Sequence, residues 1–371
     1  MTSVDGRTTE EAQATAAAAA EAEAEAAASA AASAGTTGDA DTVVTTETVD
    51  ESAVRTSDQD FATTVAPAAP ATTAAAPAPK GKLSNFEKVL LVGLGAVAVG
   101  AILSNGDRVV SNSGDRVVVE RDGELRVLKD DDARLRQPGS EVRTETFNDG
   151  STRTTVQRSD GSEVVTIRGA DGSVLLRERV MPDGTHYTLF DDTSEAKPVN
   201  VKKLPKPVKM AAIDQGSNEA LRQALGAELQ DDIGRNFSLR QVRYLPEVRQ
   251  LAPEIALESI RFPSGSAAIP PEQARELARV GLAVADLIDA APGSVILIEG
   301  HTDAVGDAGY NLALSDRRAE TVALALSEYF EVPPENIVTQ GYGETELKVP
   351  TLADEPANRR AVLRNITGLL R

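Results

Sequence analysis

The chain has no cysteine and no tryptophan, and its only histidines are His186 and His301 among 371 residues. Without thiols there are no disulfides and no thiolate metal sites, although the redox compartment stays open. Two histidines leave almost no material for histidine-held zinc or for a Ser/His/Asp relay. Aromatic residues make up 3% of the chain, too few for all of it to build a packed core. Positive charge is also in deficit: the formal net charge is −19, and no basic stripe offsets it, which excludes nucleic acid as a partner. Asp303, Asp307 and Glu299 lie close in sequence, but strand alternation turns Glu299 away and no metal-ligand set accompanies them. With no activated nucleophile and base, the chain reads as a binding protein without catalytic residues, cofactor or metal.

Residues 1–82 are dominated by Ala, Thr, Glu and Pro and read as a disordered arm. Its alanine block at 12–32 has helix propensity but no apolar stripe, and the Ala-Pro run at 66–80 reads as a semi-stiff tether. No secretory signal begins at Met1, so an export signal is expected elsewhere or on a longer precursor. The one long uncharged apolar run goes from Val89 to Leu103, VLLVGLGAVAVGAIL. It predicts a membrane-associated helix over residues 83–105, near the lower length limit for a span, with a buried hairpin helix or a displaced signal-peptide apolar region as the competing readings. Lys80, Lys82 and Lys88 before it would keep the preceding arm on the cytoplasmic side. Gly93, Ala96 and Gly100 share one face on which a homo-oligomer could form.

From 106 to 192 the texture changes to strands and turns. Asp122-Gly123, Asp149-Gly150, Asp160-Gly161, Asp171-Gly172 and Asp183-Gly184 punctuate short β-branched runs, predicting an antiparallel β-hairpin meander. Arg143, Glu145, Arg153, Arg158, Glu163, Arg168, Arg177 and Arg179 charge both alternating faces, so no face suits lipid and a water-exposed sheet is expected. Residues 193–254 read as a linker with short helices at 218–229 and 238–251.

The last part, 255–371, alternates strands and helices. Strands are expected at 257–262, 295–298, 336–342 and 360–367, a helix from Pro271 to about Pro292, and another beyond Gly306 capped by Asp307 or Asn311. This is an α+β fold, a two-layer βαβαββ sandwich with a mixed sheet. Asn311, Leu314 and Arg318 make a stripe beside the strand end that carries Asp303. An acid and a guanidinium facing one cleft suit a zwitterion; from residues alone, an Asp303–Arg318 ion pair with no ligand is an equal alternative.

Gly300-His301-Thr302-Asp303, Gly306, Tyr310-Asn311, Leu314-Ser315, Arg318-Ala319, Gly341-Tyr342-Gly343-Glu344 and Asn358-Arg359-Arg360, in that order, resemble the OmpA-like C-terminal domain shared by OmpA, Pal and MotB. The resemblance covers the last third of the chain and implies non-covalent binding of peptidoglycan through diaminopimelate of the stem peptide. It implies that Asp303 receives the ammonium, that Arg318 receives the carboxylate, and that Asn311 and Leu314 line the cleft, with Thr302 and Arg359 in support. Ala361, and Pro263 in the stretch from Arg261 to Ser266, depart from the common pattern. The implied setting is the bacterial cell envelope, the domain in the periplasm, with the outer membrane favoured over the inner. The expected role is a tether between a membrane, met through residues 89–103, and the wall. The alternative is a component of an envelope machine, stator or secretion type, using the same clamp; an ion-driven stator would need an acid in the apolar run, which has none.

Overall fold

A computed structural model describes residues 43–50, 56–59, 98–103, 106–121, 123–206, 218–226 and 235–370. Most of the expected arm, the apolar run up to residue 97, and Asp122 lie outside the described residues.

Three sheets are present among the described residues. The C-terminal sheet contains β10 (Ile255–Ala256), β13 (Ala361–Asn365), β11 (Ile296–Gly300) and β12 (Ile337–Gly341), in that order. β11 and β12 run parallel, whereas β13 is antiparallel to both β11 and β10, so the sheet is mixed. Helices α4 (Pro271–Glu276), α5 (Ala278–Ala290) and α6 (Ala308–Phe330) complete the βαβαββ order. The first strand is not at 257–262 as expected but just before, at Ile255–Ala256. Residues 257–262 leave the sheet after Leu257 N donates to Ala361 O, because Ile260 N turns back to Leu257 O.

Alternation along β11 builds two cores. Ile296 and Ile298 face α5 and α6 with Val284, Ile288, Val322 and Leu326. Leu297 and Val338 face the other way, onto Phe237, Leu239, Val242, Leu245 and Val248. Leu239 and Val242 lie on α2 (Leu239–Tyr244) and Val248 on α3 (Pro246–Arg249), with Phe237 before α2 and Leu245 between the two, all inside the expected linker. The linker reading is therefore corrected for residues 235–252. The apolar residues there recur at three-residue steps and cover the second face of the sheet, and Ser238 and Gln241 close a capping box at the start of α2. Helix α1 (Asn218–Leu225) packs Leu221, Ala224 and Leu225 into the first core and ends earlier than predicted.

The expected single meander is two sheets. β2 (Arg108–Asn112), β3 (Arg116–Arg121) and β4 (Glu124–Lys129) form one; β5 (Glu141–Thr146), β6 (Thr152–Gln157), β7 (Glu163–Arg168), β8 (Val174–Val180) and β9 (His186–Asp191) form the other. The Asp-Gly turns of the second sheet share one construction. The Asp149, Asp160, Asp171 and Asp183 carboxylates each accept from the backbone N–H two residues on. The glycine between each pair adopts positive φ, from 81° to 84°.

Three expectations are overturned here. The arm is not wholly disordered: β1 (Val43–Thr48) pairs along β5, because VVTTET is β-branched and can extend a ladder. Further along the arm, Ser57 donates from N and Oγ to Glu328. The helix over 83–105 does not include 98–103. Gly100 N donates to Val109 O, Val109 N donates to Ala101 O, and Ala101 and Leu103 pack on Val109, Val117 and Val119. No helix among the described residues is long and apolar enough to cross a membrane. Finally, the charges on the meander are not all in water. Arg177 donates to Asp132 at 2.7 Å, Arg168 reaches both Asp130 and Asp132, and Arg158 and Arg179 converge on the buried Glu335.

The β2–β4 sheet lies against α6, with Val118 packed on Leu312 and Ala313. Below them the Asp316 carboxylate accepts from Arg116 Nε at 2.8 Å and from Lys129 Nζ at 2.8 Å, and Arg116 also reaches Glu320. Burial works to strip Lys129 of its proton, lowering its pKa, and Asp316 is the chief opposing charge. Replacing Asp316 with Ala leaves two buried cations without their shared acid. A loss of about 3–5 kcal/mol in urea unfolding is expected; a loss below about 1 kcal/mol, the scale of an exposed pair, contradicts it.

Candidate functional site

β11 and β12 end side by side at Gly300 and Gly341, and the two loops that follow are stitched together. Tyr342 N donates to Gly300 O, Thr302 N to Gly343 O and His301 N to Arg360 O. A Cβ on Gly300 would run into the Ser315 carbonyl, and one on Gly341 into the backbone of Asp316, so the paired glycines let α6 lie directly on the strand ends. Ser315 Oγ accepts from Gly343 N at 2.8 Å, which fixes the second loop to the helix. Gly306 (φ 109°) makes the bend into α6, whose first turn is capped by Asp307 accepting from Tyr310 N.

Arg318 projects beneath these loops and is 0% exposed. Its Nε donates to Ser266 O at 3.0 Å, Nη1 to His301 O at 3.0 Å and Nη2 to Pro263 O at 3.1 Å. The guanidinium also lies 5.1 Å from the centre of the Phe262 ring. The fork is used on three backbone carbonyls, and it braces the 263–266 loop against the end of β11. Asp303 and Arg318 do not form an ion pair with each other.

Asp303 instead accepts from Arg359, with Arg359 Nη1 at 2.6 Å from Asp303 Oδ2. The same Nη1 donates to Asp354, and Nε donates to Phe262 O at 3.3 Å. Burial works against the Arg359 charge, and the bonds to Asp303 and Asp354 outweigh it and raise its pKa. Asp303 is 6% exposed and lies in the loop after β11, beside the half-buried Arg359. Asn311 holds that loop from inside: Nδ2 donates to Glu344 Oε2 at 2.6 Å, to Val305 O at 3.2 Å and, more weakly, to Asp303 O at 3.4 Å. Leu314 is buried. Thr302 is buried too, and its hydroxyl makes no hydrogen bond among the described residues. The structure thus brings Asp303 and Arg359 together as the charged pair, and leaves Asn311 and Arg318 as supports of the loop backbone.

A second charged cluster escaped the sequence reading. Glu299 points to the opposite face of β11, as alternation requires, and accepts from Arg364 Nε at 2.5 Å with Arg249 Nε 3.4 Å away. Burial alone would raise the Glu299 carboxyl, but Arg249 and Arg364 outweigh it and hold it well below the usual range. Arg249 lies over the Tyr342 ring, and His301 stacks on the other part of this group, 5.7 Å from Tyr342 and 3.6 Å from Glu299. An acid at a strand position otherwise apolar was the available signal.

The last part of the chain is thus an α+β domain with an acid–guanidinium pair beyond the carboxyl ends of two parallel strands. Residues 261–361 match the model of the OmpA family, and this segment is an OmpA-like domain. Among curated proteins, the chain is similar to outer membrane porin F of Pseudomonas aeruginosa, 35% identical over 83 residues, 22% of this chain and 23% of that protein. It is also similar to the outer-membrane lipoprotein YfiB of the same organism, 41% identical over 70 residues, 18% and 41% of the two. The match thus spans less than half the length of either relative. Among solved structures it resembles the peptidoglycan-associated lipoprotein from Burkholderia pseudomallei, 29% identical with a TM-score of 0.25, covering 29% of this chain and 87% of that one.

Two outcomes follow from this geometry. Arg318→Ala leaves three carbonyls without their donor and should lower stability by about 3 kcal/mol or more in thermal or urea unfolding. Arg318→Lys should recover less than half of that loss, because one ammonium cannot serve three carbonyls around a planar fork; full recovery contradicts the brace. For His301, burial outweighs the attraction of Glu299, 3.6 Å away, and lowers its pKa below 6.5. The unfolded chain then takes up the proton before the folded one does. This contribution is neutral above pH 7 and costs stability as pH falls through 6.5 towards the folded value. Urea unfolding of His301→Phe between pH 7 and 5 should show a smaller decline than the native chain, and an equal decline rejects the assignment.

Proposed function

We propose that the C-terminal domain binds peptidoglycan without covalent chemistry, through the diaminopimelate of the stem peptide, and so ties a membrane of the bacterial envelope to the wall. The role is non-catalytic. The observation that carries it is the Asp303–Arg359 pair, which we read as the rim of a ligand notch. A zwitterionic ligand end can insert into such a pair, its ammonium taking Asp303 and its carboxylate taking Arg359. One ion pair is exchanged for two, and no charge is left unmatched. A lone ammonium would break the same pair and return nothing to Arg359. Arg318 and Asn311 serve by holding the loop backbone in which Asp303 sits, which limits the ordering cost of binding.

The match of residues 261–361 to the OmpA family supports this reading, as does the description of a similar structure as a peptidoglycan-associated lipoprotein. The outer-membrane relatives support an envelope setting, with this domain in the periplasm and the outer membrane as the favoured partner. Because residues 98–103 are folded onto the β2–β4 sheet, membrane contact falls to the apolar residues before them.

Sedimentation of the full chain with intact sacculi tests the proposal. The native protein should co-sediment and release no wall fragments. Asp303→Asn should reduce retention about tenfold, the loss of one charge-assisted contact. Arg359→Ala should abolish the preference for a diaminopimelate stem peptide over one with lysine at that position. Equal retention of native and Asp303→Asn protein sinks the assigned site.

A further inference from the structure

Asp354 lies in the stretch between β12 and β13, five residues before Arg359, and its side chain is 69% exposed. Exposed ion pairs contribute little to stability, so its position needs another account. That account lies in the donor it uses. Arg359 has several N–H groups, yet it presents the same nitrogen, Nη1, to Asp354 and to Asp303. Nη1 carries two N–H groups, so it can serve both carboxylates at once, and Arg359 divides its charge between two acids. Asp354 is also not on a loose tether. The Glu355 side chain caps Ala357 N at 3.0 Å, and Asn358 both accepts from Val349 N at 2.8 Å and donates to Val349 O at 2.9 Å. Phe262 O holds Nε of the same guanidinium from the other side.

From this arrangement we infer that Asp354 is the release partner of the notch: it retains Arg359 when a ligand ammonium claims Asp303, and so lowers the cost of opening the Asp303–Arg359 pair. The inference rests on the ligand reading above. Before binding, Arg359 is shared between two acids; after binding, Asp354 and Phe262 O keep it beside the notch, within reach of a ligand carboxylate. Without Asp354 the guanidinium has Asp303 as its one remaining acid, and the ligand must displace an undivided ion pair. Asp354 acts through Arg359 and is a positioning residue.

A double-mutant cycle on the full chain separates this from a direct contact. The probes are a diaminopimelate-containing stem peptide and the same peptide with lysine in its place, with affinities measured by titration calorimetry. Asp354→Asn should raise Kd for both peptides about two- to fivefold, the range of an exposed charge pair. For the lysine peptide Arg359 is purely a competitor, so Arg359→Ala should tighten binding. Adding Asp354→Asn to Arg359→Ala should then change nothing. An unchanged Kd in Asp354→Asn, an equal loss with and without Arg359, or no gain for the lysine peptide on removing Arg359 each overturns the inference. If the diaminopimelate peptide still binds in an Asp303-dependent way in those cases, the ligand reading stands and only the role of Asp354 falls. If neither peptide binds the native chain, both fall together.

Discussion

A helix that is buried on every side cannot carry charge without partners, and this constraint organises the molecule. From Asn311 to Leu326 every residue of α6 is buried, Asp316, Arg317, Arg318 and Glu320 among them. Leaving any one of these unpaired in the interior would cost several kcal/mol. Each neighbouring unit supplies what the helix needs: Arg116 and Lys129 from the β2–β4 sheet for Asp316, Asp115 for Arg317, and the carbonyls of residues 263, 266 and 301 for Arg318. The β2–β4 sheet is thereby bound to the C-terminal domain by ion pairs across their shared face.

The same constraint shapes the loop that carries Asp303. Because Arg318 is spent on carbonyls, the rim is left to a second arginine, and Asp303 is balanced by Arg359 instead. This division separates two tasks that one residue could not perform together. A guanidinium sealed beneath the loops makes the loops rigid, and one at the surface remains free to exchange partners. The tilt of α6 onto Gly300 and Gly341 connects the tasks, since the strand ends, both loops and the base of the notch then move as one piece.

Much of this was legible in the chain. The apolar run of β11, the proline at the start of α4, the aspartate cap before α6 and the order of strands and helices follow from local rules. So do the Asp-Gly turns, where the carboxylate and the positive-φ glycine act within five residues. The stripe of Asn311, Leu314 and Arg318 and its place beside the end of β11 were also readable. The direction in which Arg318 spends its hydrogen bonds was not. Helical spacing places a side chain on a face, but whether that face meets solvent or the carbonyls of a loop some fifty residues earlier depends on a non-local approach.

Composition misled where it averaged. An Ala/Thr/Pro-rich arm still contains VVTTET, whose β-branched residues join the meander as its edge strand, and an apolar run that suggests a membrane helix ends in residues that pair with Val109. Charges on alternate faces of β7 and β8 suggested water on both sides, yet Arg168 and Arg177 close on Asp130 and Asp132 from a separate segment. The sequence by itself determined the elements, their turns and the identity of the charged residues near the notch, because these depend on neighbours a few positions apart. Only the tertiary structure decided which charges are paired with which, since the partner that neutralises a buried group is chosen by whichever surface folds over it.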